Sequence, residues 1–135
     1  MHQELLSLLD GLQETFILVE GPSDKAALQE LGLYSVVAID KRPHYKVVES
    51  LLQADIKEIV ILTDLDTEGR KLYRKFNHEC SQRGIKVNNK LRHFLLRETS
   101  LGQVEGLAKF IRNLERKETQ GITSSQMKRI REEEK

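Results

Sequence analysis

Three carboxylates stand where apolar runs end: Glu20 closes TFILVE, and Asp64 and Asp66 follow EIVILT. If the two runs are neighbouring strands, these acids meet in one small volume, with Glu68 a turn further on. Carboxylates that close repel one another unless they take up protons or share a cation. Mg²⁺ suits such a group, because it takes oxygen ligands, is usually held by one or two carboxylates, and keeps waters for a substrate phosphate. An ion held there neutralises charge on a phosphodiester and orients an attacking or leaving oxygen. The expected ion is therefore Mg²⁺, with Mn²⁺ as its substitute, and the expected ligands are Glu20, Asp64, Asp66 and Glu68. Gly21 and Gly69 allow close backbone approach, and the amides opening helices near Ser23 and Thr67 favour anions. A plainer reading competes. Asp24, Asp66 and Glu68 lie in or beside first helical turns, where an acid stabilises the helix by about 0.3–1 kcal/mol, and Lys25, Arg70 and Lys71 stand near to neutralise them. That reading does not extend to Glu20 with Asp64 and Asp66 together, since an acid ending a buried strand serves no capping purpose that a serine could not.

The elements that must position these acids follow from periodicity. Leu5, Leu6, Leu8, Leu9 and Leu12 recur at helical spacing over 3–13. Residues 15–20 form a continuous run of strand formers, as in a strand covered on both faces. Ser23 is expected to cap a helix that ends at Gly32. Residues 34–39 predict a second strand, the polar turn 40–44 leads to a helix with Val47, Val48, Leu51 and Leu52 inward, and 58–63 is the clearest strand. A long helix with Leu72, Tyr73, Phe76 and Cys80 runs to Gly84, and 85–87 is a short fourth strand. Leu91, Phe94 and Leu95 predict a helix over 90–98, capped by Asn88 or Asn89, and Val104 to Leu114 a last one. From 116 to 135 the chain is charged and too poor in apolar residues to fold alone, so a flexible tail is expected after one domain over 1–115.

Strands alternating with helices predict an α/β fold of about four mostly parallel strands with helices on both faces. Ligands bind such sheets at the carboxyl ends of the strands, where the three acids fall. At 135 residues the chain suits a single domain. Its single cysteine, Cys80, excludes an internal disulfide and any cysteine-based zinc site, as in a cytoplasmic protein. There is no run long enough to span a bilayer and no signal-peptide pattern. Charged residues make up 32% of the chain yet nearly cancel, to a net +1, so nucleic acid must be held by a local patch or an ion.

The segments VEGPSDK at 19–25 and ILTDLDTEGR at 61–70 resemble the two signature motifs of the Toprim domain. That family includes bacterial primases, topoisomerases and small nucleases that mature ribosomal RNA. The resemblance covers residues 14–115, with the motif core within 14–100, and implies a three-layer Rossmann-like Toprim fold. It also implies acid–base work for Glu20 and Mg²⁺ coordination by Asp64 and Asp66, with Glu68 a further ligand as in the topoisomerase version. The chain is similar to the free-standing small Toprim proteins of archaea and bacteria: it lacks the topoisomerase gate domain, the primase zinc module and an ATPase domain.

Basic residues flank these motifs. Lys25, Lys41, Arg42, Arg70, Lys71, Arg74 and Arg92 are the candidates for gripping phosphates, Arg92 as part of a stripe with Lys90, His93 and Arg97. For each of them singly, a solvated helix face is the competing reading. Aromatics are scarce, at 5%, so RNA or DNA is expected to be held by its backbone rather than by base stacking. His44 and His93 read as surface residues and Tyr73 as a packing residue, while Glu105 either lies near the site edge or opens the last helix, the latter being preferred. The leucine-rich first helix offers a face for a homodimer or a larger complex. The function expected is Mg²⁺-dependent processing of nucleic-acid phosphodiesters, nuclease-like. Its alternative is a non-catalytic nucleic-acid-binding or RNA-associated adaptor. An aspartyl phosphatase of the haloacid dehalogenase type and a receiver domain are further rivals: the first would carry its motif after the first strand, not the third, with more chain beyond it, and the second needs paired acids after strand one and a lysine after a fifth strand, which are not found.

Overall fold

The computed structural model describes residues 2–120. A four-stranded, wholly parallel sheet lies at the centre, in the order β2-β1-β3-β4. Its strands are β1 (Phe16–Val19), β2 (Val36–Ala38), β3 (Glu58–Ile61) and β4 (Lys86–Val87). The helices are α1 (His2–Asp10), α2 (Pro22–Glu30), α3 (His44–Gln53), α4 (Thr67–Gln82), α5 (Lys90–Glu98) and α6 (Leu107–Gln120). A short 3-10 turn over Val104–Gly106 precedes α6.

Alternation along the strands sorts the core into two layers. Ile17, Val19 and Val60 join Leu5 and Leu9 of α1, Leu28 of α2, Phe94 and Leu95 of α5, and Leu107 and Ile111 of α6. On the other face Leu18, Ile59 and Ile61 meet Val47, Val48 and Leu51 of α3 and Phe76 and Cys80 of α4. Strands buried on both faces read as unbroken apolar runs, which is why β1 and β3 are plain in the sequence.

The order of the strands also fixes where a ligand belongs. From β1 the chain crosses to β2 on one side and then returns to β3 on the other, so the connections diverge between β1 and β3. A crevice opens there at the carboxyl ends, the usual ligand position in this architecture.

Several local expectations are corrected. Ser23 does not cap α2: the helix begins at Pro22, Gly21 holds the cap position, and the Gly21 N–H donates to Asp24 instead. Proline needs no partner for its missing N–H at that position. Val104 lies in the 3-10 turn rather than the last helix. Asn89 holds the cap position of α5 without a side-chain hydrogen bond, while Asn88 Oδ1 accepts the Lys90 N–H at 3.1 Å. Helix α6 runs on to Gln120, into the segment expected to be a frayed or transiently helical tail, a departure from none of these expectations; the remainder, 121–135, lies outside the described residues. Among the described residues no helix is long and apolar enough to cross a membrane.

Candidate metal centre

Strand β1 ends one residue before Glu20, and the backbone at the end of β3 carries the chain through Thr63 to Asp64. Because β1 and β3 are hydrogen-bonded neighbours, the Asp64 N–H meets Glu20 Oε2 at 3.1 Å. Asp24 joins them from the first turn of α2. Oxygens of Glu20, Asp24 and Asp64 all lie within 4.8 Å of one another. Each carboxylate is aimed by a backbone amide: Glu20 by Asp64, Asp24 Oδ2 by the Gly21 N–H at 3.0 Å, and Asp64 Oδ1 by the Val104 N–H at 3.0 Å. Each of the three offers an oxygen that could serve as a ligand. A cleft of about 320 Å³ opens over them, walled also by Asp40, Lys41 and Glu105.

The donors fit a hard divalent ion. Two oxygens bound to one Mg²⁺ at about 2.1 Å stand at most about 4.2 Å apart. The spread of up to 4.8 Å therefore suits one or two direct carboxylate ligands, with the remainder reached through water or a small side-chain adjustment. Without an ion, the group relieves its repulsion by holding a proton. Glu20 is raised from its ordinary 4.5 to about 7, first by burial, then by the shared hydrogen bond with Asp64 and the charges of Asp64 and Asp24, against the opposing pull of the Asp64 N–H. Burial likewise raises Asp24, helped by the charges of Asp64 and Glu105 and opposed by the Gly21 N–H.

This has a consequence for stability. Between pH 4.5 and about 7 the folded chain binds a proton at Glu20 that the unfolded chain has released, so stability falls as pH rises through that window. Because Glu20 is partly solvated, the loss is expected to be on the order of 1 kcal/mol. Chelator-treated protein should unfold at lower urea concentration at pH 7.5 than at pH 5, and Glu20→Gln should flatten the difference. A flat wild-type profile would contradict the shared proton.

The other expected ligands are placed differently. Asp66 takes the cap position of α4, its Oδ1 accepting the Gly69 N–H at 2.8 Å, and Glu68 is exposed and paired with Lys71 at 3.4 Å. Neither belongs to the group of mutually close carboxylates or lines the cleft. The chain leaves strand geometry after Ile61, so spacing by two no longer sends side chains the same way.

Support for Asp64 comes from below. Gly69 packs so closely that a β-carbon there would fall 1.9 Å from the Asp64 carbonyl oxygen. Thr63 Oγ1 donates to the Gly69 carbonyl at 2.6 Å. Arg92 is 1% exposed, which corrects its expected place in an exposed basic stripe. Its guanidinium donates to the carbonyls of Thr63 at 2.6 Å and Asp64 at 3.0 Å, and lies 4.5 Å from the Tyr73 ring centre. Burial lowers its pKa, as does the nearby charge of Arg70, while the carboxylates of Glu20 and Asp64 oppose that.

Two further arginines spend donors on the main chain: Arg70 on the Leu65 carbonyl and Arg42 on those of Ala38 and Ile39. Lys41, Lys71 and Arg74 are exposed and Lys25 is half-buried. Tyr73 donates to Asn89 Oδ1 at 2.5 Å, a packing role, and the Cys80 thiol is pushed up to about 11 by burial. His44 is half-buried, its ring 4.7 Å from that of Phe76, rather than a surface residue, whereas His93 is exposed.

Two participants are given the plainer role by a reading of the sequence. Asp24 is turned toward Glu20 by the Gly21 N–H that links the end of β1 to the first turn of α2, but in the sequence an acid in a first turn reads as a simple helix stabiliser. Glu105 lines the cleft instead of merely opening the last helix, brought there by the Val104–Asp64 bond and by the Leu65 N–H on the Gly102 carbonyl at 2.8 Å. No local pattern announces contacts that distant in sequence.

Comparison with known proteins adds a family. The sequence model of the Toprim domain matches residues 15–94. A UPF0292 protein of Methanocaldococcus jannaschii is 34% identical over 116 residues, 81% of this chain and 91% of that protein. A UPF0292 protein of Pyrococcus horikoshii is 34% identical over 97 residues, 70% of this chain and 72% of its own length. A solved structure of a protein from Aquifex aeolicus superposes with a TM-score of 0.68 at 28% identity, covering 76% of this chain and 94% of that one.

Proposed function

The chain belongs to the Toprim domain family, and from that premise we propose that it is a divalent-metal-dependent nuclease acting on the backbone of RNA or DNA. Membership displaces the phosphatase and receiver readings. The observation that carries the proposal is the meeting of Glu20, Asp24 and Asp64, each turned by a backbone amide into one cleft.

In this reading Asp64 and Asp24 hold Mg²⁺, or Mn²⁺ in its place, with Glu20 beside them. The ion supplies charge neutralisation at a phosphodiester oxygen and a fixed geometry for the displaced group. Glu20 is the acid–base residue: it stands beside the proposed ligands with its Oε2 aimed by the Asp64 N–H, within the cleft where a phosphodiester would lie, as general acid–base work requires. Of the Asp64–Asp66 pair, only Asp64 is assigned to the ion; Asp66 orders the loop by capping α4. Lys25, Lys41, Lys71 and Arg74 are the proposed backbone contacts, with Arg42 and Arg70 contributing what remains of their donors. Arg92 is not among them.

Incubating single- and double-stranded RNA and DNA with the protein and Mg²⁺ or Mn²⁺ tests this. Cleavage is expected for at least one substrate, suppressed by chelator and reduced about 10²-fold or more in Glu20→Gln. Metal-dependent binding with no turnover in either protein would replace the nuclease with the adaptor.

A further inference from the structure

Between β2 and α3 the chain reverses through a turn whose central residues, Asp40 and Lys41, both lie in the left-handed region, at φ 48° and 64°. The Arg42 N–H donates to the Ile39 carbonyl at 3.0 Å and closes it. Two consecutive left-handed residues make the mirror-image type of turn, for which Asp-Gly and Asn-Gly are the favoured pairs. Aspartate suits its first position. The second, where glycine is the default, holds a lysine whose β-carbon crowds the backbone in that conformation. Asp55, at φ 57°, is the other non-glycine residue of this kind among those described, but it ends α3, an ordinary place for such a conformation.

The surroundings over-determine the turn. The Ile39 N–H bonds the Val19 carbonyl at 2.8 Å and the Asp40 N–H bonds the Glu20 carbonyl at 2.9 Å. Arg42 clamps the Ile39 carbonyl at 3.0 Å through Nε and the Ala38 carbonyl at 2.5 Å through its terminal nitrogen. The end of β2 is thus fastened to the residue bearing the Glu20 carboxylate, and the turn forms one wall of the acidic cleft. Lys41 is the only cation among the described residues lining that cleft. A residue retained in a conformation unfavourable to it, beside a site, points to a use for its side chain.

We propose that Lys41 is the phosphate-binding residue of the cleft, held in a strained turn so that its ammonium meets a non-bridging oxygen of the nucleic-acid backbone opposite the acids. This rests on the metal-dependent reading above and adds what holds the substrate's charge. It distinguishes Lys41 from the exposed lysines and arginines of the helices, which stand outside the cleft.

The test uses the full chain and the variants Lys41→Gly and Lys41→Arg, with a short fluorescent single-stranded oligonucleotide at fixed Mg²⁺ across a NaCl series. Lys41→Gly is expected to melt about 2–5 °C higher, because glycine relieves the turn. Its Mg²⁺ affinity should be no weaker, while oligonucleotide affinity falls about 5–10-fold and the salt dependence loses about one phosphate contact. Lys41→Arg should keep the salt slope of the wild type. An unchanged affinity and slope in Lys41→Gly would overturn the phosphate contact, and a lower melting temperature would overturn the strained turn. A wild-type protein that binds Mg²⁺ but no oligonucleotide would sink the underlying nucleic-acid reading instead, a result visible without any variant.

Discussion

Gly69→Ala is expected to cost about 3 kcal/mol or more, a large share of the roughly 5–15 kcal/mol by which a domain of this kind is stable. The added β-carbon would lie 1.9 Å from the carbonyl oxygen, 2.4 Å from the carbonyl carbon and 2.7 Å from the Cα of Asp64. Those are backbone atoms, so no side-chain rotation relieves the clash. Either α4 retreats from the end of β3 or Asp64 moves, and both loosen the carboxylate that the Val104 N–H aims at the cleft. Urea denaturation should show a clearly lowered midpoint, and the folded fraction should bind Mg²⁺ at least tenfold more weakly. A variant matching wild type in both would mean that α4 and Asp64 pack less closely than described.

Arg92→Met should be nearly as damaging, for a different reason. Methionine fills part of the volume but donates nothing, so the carbonyls of Thr63 and Asp64 lose buried donors at about 1–3 kcal/mol each. The contact with the Tyr73 ring goes as well. A loss of about 2–5 kcal/mol is expected by thermal or urea unfolding. Arg92→Lys should recover only part of it, since an ammonium cannot reproduce the planar fork of donors that serves separate carbonyls. Were Arg92 a surface phosphate contact, Arg92→Lys would leave unfolding unchanged and alter only nucleic-acid binding; that outcome would restore the exposed stripe.

The contrast between these residues shows where a sequence is readable. The sheet was legible because β1 and β3 are buried on both faces and therefore appear as unbroken apolar runs. The pairing of Glu20 with Asp64 was legible because strand ends in a parallel sheet face one edge. Asp66 stands apart from the mutually close carboxylates because the period-two rule lapses once the chain turns into α4. Asp24 was undervalued because an acid in a first helical turn has an ordinary explanation. Arg92 carried a faint signal: it precedes Leu95 by three residues and so shares a side of α5 with the core, yet its charge argued for solvent. Asp64's bond to Val104 spans 40 residues and leaves no local trace. Charge type was a poor guide to position, and strand position a good one.

Isothermal titration of the full chain with Mn²⁺ at pH 7.5, comparing wild type with Asp24→Asn, Asp64→Asn and Asp66→Asn, addresses the metal centre without requiring a substrate. Asp24→Asn and Asp64→Asn should each weaken binding tenfold or more while remaining folded, whereas Asp66→Asn, which keeps a capping oxygen for the Gly69 N–H, should change binding less than threefold. Undiminished binding by Asp24→Asn and Asp64→Asn, or loss confined to Asp66→Asn, would contradict an ion held between β1, α2 and β3.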